Sequence, residues 1–453
     1  MLDYNWLNRE GDTNHGKGRE AWMRTVPPLI SEAIEADKQS FFKQSMSTPC
    51  LSSIVDAEGC YLIDKTGKKY LDFHGNSLHQ VGYKNPYVVE AVTRQLNQLP
   101  FIPRRFTADI TVEAAQTLIQ QTTSHDYCVL FTPSGAAAVG IALKIARKVT
   151  GRHKVISMWE SFHGAGLDTI SIGGEYVFKK EMGPMMPGMI KSIPYNAYRN
   201  LFGLTEPEKV AEQCLAYLEY CIEHEGEIGA IVLEPIRATD THIPPRSYFQ
   251  RLRELCDRHG ILLIFDEIPT AFLRSGSYYV HQQFGVEPDI LVLGKGLGGA
   301  VVPQAAVLVQ RKWDQADDLS LGHYTHEKPA LGSAAIVAMT HYLEDYHVKD
   351  NVARLSHFVQ TELQAMQKRH EAIGDIRVAG LLITIELVQD RVTKEKASKL
   401  AEYVLYYCLT KGLSFKVSAG NCITWHPPLI ITESQLSEAL ALLEEALTTY
   451  QEA

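Results

Sequence analysis

The sequence predicts an α/β protein: a mostly parallel sheet with helices on both faces, joined to a smaller α+β lobe built from the N- and C-terminal segments. Three observations predict it. Apolar runs at 127–131 (YCVLF), 154–157 (KVIS), 229–233 (GAIVL), 261–265 (ILLIF) and 290–293 (ILVL) alternate with helical stretches, and continuous apolar strands separated by helices form parallel sheets covered on both sides. Residues 60–73, CYLIDKTGKKYLDF, read as a hairpin of two β-rich runs about a Gly-Lys-Lys turn. The last third changes character, with a strand candidate at 381–387 (LLITIEL) and an amphipathic helix at 433–450 (ESQLSEALALLEEALTTY).

Taken in order, about 45 polar residues with isolated aromatics precede the hairpin. The helix AVGIALKIARKV follows the first apolar strand, with Val139, Leu143 and Ala146 at helical spacing. A second long helix, GSAAIVAMTHYLEDY, occupies 332–346. The expected division is 1–75 for the N-terminal segment and hairpin, 76–330 for a large ligand-binding domain and 331–453 for the C-terminal α+β lobe.

The 453 residues are 45% hydrophobic and 21% charged, and 44 − 53 gives a net charge of −9, an ordinary globular composition. No block of basic residues offers a footprint for a nucleic-acid backbone. No repeat or low-complexity tract is visible, and no apolar stretch approaches the roughly 20 residues that span a bilayer. The opening MLDYNWLNREGD carries acids where a signal peptide needs basic and then apolar residues. The eight cysteines contain no CxxC pair, so the expectation is a cytoplasmic chain with reduced, mostly buried thiols.

Three places carry chemistry. The strand ILLIF ends in Asp266-Glu267, and ligands of such sheets lie beyond the carboxyl ends of the strands. A carboxylate leaving a buried strand there needs a cation or donors, or else it merely caps a loop. Lys295 follows the strand ILVL among Gly294, Gly296, Gly298 and Gly299; a lysine in such a turn is usually a solvated charge, and it is also what a nucleophilic amine forming a Schiff base requires. The strand YCVLF runs into Thr132-Pro133-Ser134-Gly135-Ala136-Ala137 at a helix start, where small residues expose N–H groups that can cradle a phosphate.

With these three in order, the sequence resembles the class III aminotransferase family, pyridoxal-phosphate enzymes of fold type I. The likeness runs over about 400 residues through GCYLIDKTGKKYLDF with VGYKNP, TPSGAAAVGIALKIAR, SFHGAG (161–166), LIFDEIPTAFLRSG and PDILVLGKGLGG, with a spacing of 295 − 266 = 29 between the two key residues. The resemblance implies that Lys295 holds the aldehyde of pyridoxal 5'-phosphate and later moves the substrate proton. It further implies that Asp266 pairs with the pyridine nitrogen, that Phe162 stacks on the ring, and that Gly135 and Ala136 bind the phosphate. His163 is assigned either a structural or a catalytic part. Thr325 corresponds to a threonine that reaches the cofactor phosphate of the other subunit, or Tyr324 does if the register is set on Pro329. A homodimer with composite sites is implied, and no metal.

Three departures bear on the reaction. Thr424, in CITWHPPLII, stands where members usually carry a carboxylate-binding Arg, and a neutral hydroxyl cannot form that clamp. Ile268 and Pro269 replace the turn that supplies a side-chain amide, and Ala137 and Gly140 stand where Glu is usual. Candidate binders of an anionic substrate are Arg104, Arg105 and His79, with Arg237, Lys328 and Lys416 behind them. The sequence resembles most closely the elimination branch of the family. That implies an ammonia-lyase acting on a small hydroxy-amine bearing a phosphonate; the alternative is transfer of an amino group from an ω-amine or amino acid to a keto acid.

Overall fold

The computed structural model describes residues 17–42 and 50–450; the acidic opening of the chain lies outside them. Chain contacts divide it into two compact units, one comprising the residues up to Asn85, Thr239–Thr241 and Asp350 onward, the other Pro86–Ala238 and His242–Lys349.

In the first unit, β1 (Ile54–Glu58), β2 (Tyr61–Asp64) and β3 (Lys69–Asp72) form the expected hairpin and its antiparallel neighbour. The Asp64 carboxylate fixes the tight turn by accepting from the backbone N–H groups of Thr66 (2.8 Å) and Lys68 (3.1 Å).

The second unit holds a seven-stranded sheet of β4 (Tyr127–Thr132), β5 (Lys154–Met158), β6 (Met189–Ser192), β7 (Ile228–Leu233), β8 (Leu262–Asp266), β9 (Ile290–Leu293) and β10 (Ala305–Gln310), in the order β4-β10-β9-β8-β7-β5-β6. The pairs among β9, β8, β7, β5 and β6 are parallel, whereas β10 is antiparallel to both β9 and β4. Every residue of β7, β8 and β9 is buried, as strands covered on both faces require. The helix Gly135–Thr150 starts on a Ser134 side chain that accepts from Ala137 N (3.2 Å) and stops at left-handed Gly151. Its Val139, Leu143 and Ala146 are buried in the core of this sheet. The helix Ala330–Asp345 packs on the helices Pro86–Gln98 and Asp109–Gln120 of the same unit.

Returning to the first unit, β11 (Ile373–Ala379), β12 (Leu382–Leu387), β14 (Lys416–Ser418) and β15 (Cys422–Trp425) form a sheet in the order β11-β12-β15-β14, while β13 (Leu413–Ser414) extends the hairpin sheet beside β3. The helix Glu433–Thr449 opens with a capping box between Thr432 and Gln435. All eight cysteines are free, and six of them are buried. Among the described residues no helix is long and apolar enough to cross a membrane.

Candidate active site

Parallel register brings the carboxyl ends of β7, β8 and β9 together. Leu233 pairs with Phe265 and Asp266 with Val292, so Glu234, Asp266 and the turn carrying Lys295 leave the sheet side by side. Asp266, 2% exposed, accepts at Oδ1 from Ile268 N (3.1 Å), while its Oδ2 lies 2.8 Å from His163 Nδ1. His163 Nε2 is buried without a hydrogen-bond partner among the described residues. An imidazole against a buried carboxylate fixes that carboxylate's orientation, and each carboxylate oxygen keeps a second lone pair for a further donor. Lys295 sits in the left-handed region at φ 46° between buried Gly294 and Gly296, with its own side chain exposed. A non-glycine residue in that region is strained, and such strain gathers at functional sites. A Cβ at Gly294 would press on Ile268 Cγ2 at 3.2 Å.

The neighbouring acid does something else. Glu267 is fully buried, with Oε2 accepting from Val280 N (2.6 Å) and Oε1 from His281 N (3.1 Å). It pins the loop ahead of the short helix His281–Phe284.

At the start of the helix Gly135–Thr150, Ser134 takes up the N–H of Ala137. The N–H groups of Gly135 and Ala136 belong to the first turn, where no intrahelical acceptor exists. A Cβ on Gly135 would meet Ile268 Cδ1 at 2.6 Å, and one on Gly164 (φ 122°) would meet Ala136 Cβ at 2.6 Å. The SFHGAG segment and the helix start are thus in close contact. Phe162 keeps its ring partly exposed, 4.7 Å from the ring of Phe178. Gly140 has its own explanation, since a Cβ there would collide with the Asp168 carboxylate.

The remaining predicted residues are dispersed. Arg104 and Arg105 are exposed, and Arg104 Nη2 lies 2.8 Å from His323 Nε2. Lys328 Nζ donates to Phe106 O (3.3 Å) and Phe101 contacts His326 at 5.1 Å, so residues 101–106 and 323–328 form one surface strip. Thr325 on that strip is exposed, whereas Tyr324 packs against the core of its own sheet. Arg237, near Glu234, is ion-paired to Glu160 at 2.7 Å. His79 belongs to the first unit and is wholly buried, its Nε2 3.0 Å from Asp72 O and its ring beneath Gly75. Thr424 is buried in β15, donating to Lys416 O (3.1 Å) with Ser418 Oγ at 3.2 Å. Its hydroxyl is spent inside its own sheet.

Glu234 escaped the sequence reading, although an acid directly after an apolar strand is the signal that exposed Asp266. Burial and the Asp266 carboxylate push its carboxyl up to about 7, against the opposing pull of His163, Lys295 and Arg237.

The donor set suits a flat, phosphorylated aldehyde: an amine at a strand end, a buried carboxylate for a ring nitrogen, an aromatic face and a helix start for a phosphate. Among the described residues no His, Cys, Asp or Glu group is arranged to hold a metal ion.

Comparison with known proteins identifies relatives of the chain. The family model for class-III aminotransferases matches residues 42–447. An (R)-1-hydroxy-2-aminoethylphosphonate ammonia-lyase of Vibrio splendidus is 45% identical, over 99% of this chain and 96% of its own. An isoleucine 2-epimerase of Lentilactobacillus buchneri is 30% identical over 92% and 94%. Among solved structures, a taurine:2-oxoglutarate aminotransferase from Bifidobacterium kashiwanohense, in complex with PLP and glutamate, is 28% identical and superposes with a TM-score of 0.86, covering 96% of this chain and 98% of that one.

Proposed function

Because the chain belongs to the class III aminotransferase family, we propose that it is a pyridoxal-phosphate-dependent ammonia-lyase converting (R)-1-hydroxy-2-aminoethylphosphonate to phosphonoacetaldehyde and ammonia, a step of phosphonate breakdown. Its likeness to the Vibrio splendidus lyase supports the substrate. One observation carries elimination over transfer. A transaminase must hold a keto acid in its second half-reaction, and at the position where family members carry an arginine, Thr424 is neutral and already bonded to Lys416 O.

Pyridoxal phosphate, when bound, supplies an aldehyde for the substrate amine and a ring that takes up the electrons released at the adjacent carbon. Lys295 is assigned to hold that aldehyde and, once displaced, to take the proton from the amine-bearing carbon through Nζ. Asp266, oriented by His163 at 2.8 Å, holds a proton on the ring nitrogen. The N–H groups of Gly135 and Ala136 receive the phosphate, and Phe162 covers the ring face. Thr325, exposed on its strip, reaches the second subunit of a homodimer, and the adjacent Arg104 and Arg105 bring positive charge for the phosphonate dianion. His79 braces the turn at Gly75. The free cysteines support a cytoplasmic setting.

The test is incubation of the purified protein with (R)-1-hydroxy-2-aminoethylphosphonate in the absence of any keto acid. Equal amounts of ammonia and phosphonoacetaldehyde are expected. Amine consumption that requires 2-oxoglutarate or pyruvate, with glutamate or alanine formed in proportion, establishes the transaminase instead.

A further inference from the structure

Elimination asks for something the groups assigned so far do not provide. Lys295 removes a proton, Asp266 steadies the ring, and nothing yet helps hydroxide, a poor leaving group, to depart. Glu234 stands where such help would come from. It is the first residue after β7, next in register to Asp266 at the end of β8, and it is electrostatically coupled to Lys295 beyond β9. Among the described residues its carboxylate accepts only a long contact, from Ala238 N at 3.5 Å, unlike Asp266 and Glu267, whose oxygens are held by close partners. It is half-buried rather than sealed.

Resting on the elimination reading above, we propose that Glu234 donates the proton with which the substrate's hydroxyl leaves. As Lys295 takes the proton from the amine-bearing carbon, that C–H electron pair becomes the new C=C bond. The C–O bond at the neighbouring carbon breaks with its electron pair going to oxygen. The O–H proton of Glu234 passes to that oxygen, water departs, and Glu234 is left as a carboxylate that solvent reprotonates. Hydrolysis of the resulting enamine consumes one water and yields the aldehyde and ammonia, so atoms and charge balance without a further reagent.

The surroundings fit a proton donor. The charged groups facing Glu234 are Asp266 at the end of β8, His163 after β5, Lys295 after β9 and Arg237 on its own loop, itself paired to Glu160. Burial and the Asp266 charge raise the carboxyl to about 7, which matches an acid working near neutral pH. The protonated form is the active one, so elimination should fall as pH rises through about 7.

The experiment compares wild type with Glu234→Gln and Glu234→Asp in the cofactor-loaded protein. Ammonia release from the hydroxy-amine should drop about 100-fold in Glu234→Gln, the typical contribution of a general acid, and lose its fall near neutrality. Glu234→Asp should recover part of the loss. Deuterium uptake from heavy water into 2-aminoethylphosphonate, which has no hydroxyl to expel, reports the Lys295 step alone and should stay within about threefold of wild type. Independently of turnover, the infrared band of a protonated carboxyl that disappears between pH 6 and pH 8 in the wild type should be absent from Glu234→Gln, as expected for a group raised to about 7. Ammonia release retained in Glu234→Gln, or deuterium uptake lost together with it, overturns the proposal while leaving the elimination reading intact. A wild type that takes up deuterium yet releases no ammonia without a keto acid overturns the elimination reading itself, and this role with it.

Discussion

Two charge clusters, one in each unit, use the same residue types to opposite ends. In the sheet β11-β12-β15-β14, Arg377 is answered on every side: Nη1 reaches Asp375 (2.5 Å) and Glu386 (2.9 Å), Nε donates to Asp240 O (2.7 Å), and Asn421 donates to Leu387 O (2.7 Å) alongside. At the carboxyl ends of β7, β8 and β9, by contrast, His163 Nε2 has no hydrogen-bond partner among the described residues, Glu234 is pushed toward neutrality and Lys295 is held in a strained turn. A closed network of buried charges fixes structure, because each group's desolvation is offset by its partners. A cluster with a perturbed carboxyl beside an exposed amine keeps capacity for a ligand.

The comparison can be broken from either side. The largest effect should come from Lys295→Ala, with turnover falling by about four orders of magnitude or more, roughly 5.5 kcal/mol in barrier. Borohydride should then no longer fix the cofactor to the protein; fixation on another lysine contradicts the assignment. Asp266→Asn should lower kcat by about three orders of magnitude, ~4 kcal/mol, while cofactor still binds through phosphate and Lys295. A variant within about tenfold of wild type denies the carboxylate its place at the ring nitrogen. On the closed side, Arg377→Met takes the guanidinium away from Glu386, which is 3% exposed, and should cost about 3–5 kcal/mol of folding stability. Denaturant unfolding gives that loss, and turnover per folded molecule should not change. The smallest effect is expected at Thr432→Ala, which removes one capping hydroxyl and should cost about 1 kcal/mol, read as a small drop in Tm.

Much of this contrast could be seen in the sequence and some could not. The strands that became β4, β5, β7, β8 and β9 announced themselves because a parallel sheet covered on both faces needs unbroken apolar runs. β6 did not, since MIKS carries no such run; β10 carries one in AAVLV, yet its antiparallel direction is a matter of topology rather than of composition. Asp266 and Lys295 were visible because each directly follows an apolar strand. The different destinies of Asp266 and Glu267 were not, because only the tertiary fold brings His163 to one and the Val280 and His281 amides to the other. Likewise Gly140 read as a lost acid until the fold set the Asp168 carboxylate beside it, and Glu234 gained interest only when register placed it next to Asp266.

Elimination of ammonia, rather than its transfer, sets this chain apart from a transaminase. The most direct measurement counts products per active site when the cofactor-loaded protein meets (R)-1-hydroxy-2-aminoethylphosphonate with every keto acid removed. An ammonia-lyase regenerates itself, so phosphonoacetaldehyde should continue to form over many turnovers, with free ammonia matching it throughout. Consumption that stops at a single equivalent per site and resumes only when a keto acid is added would contradict the account.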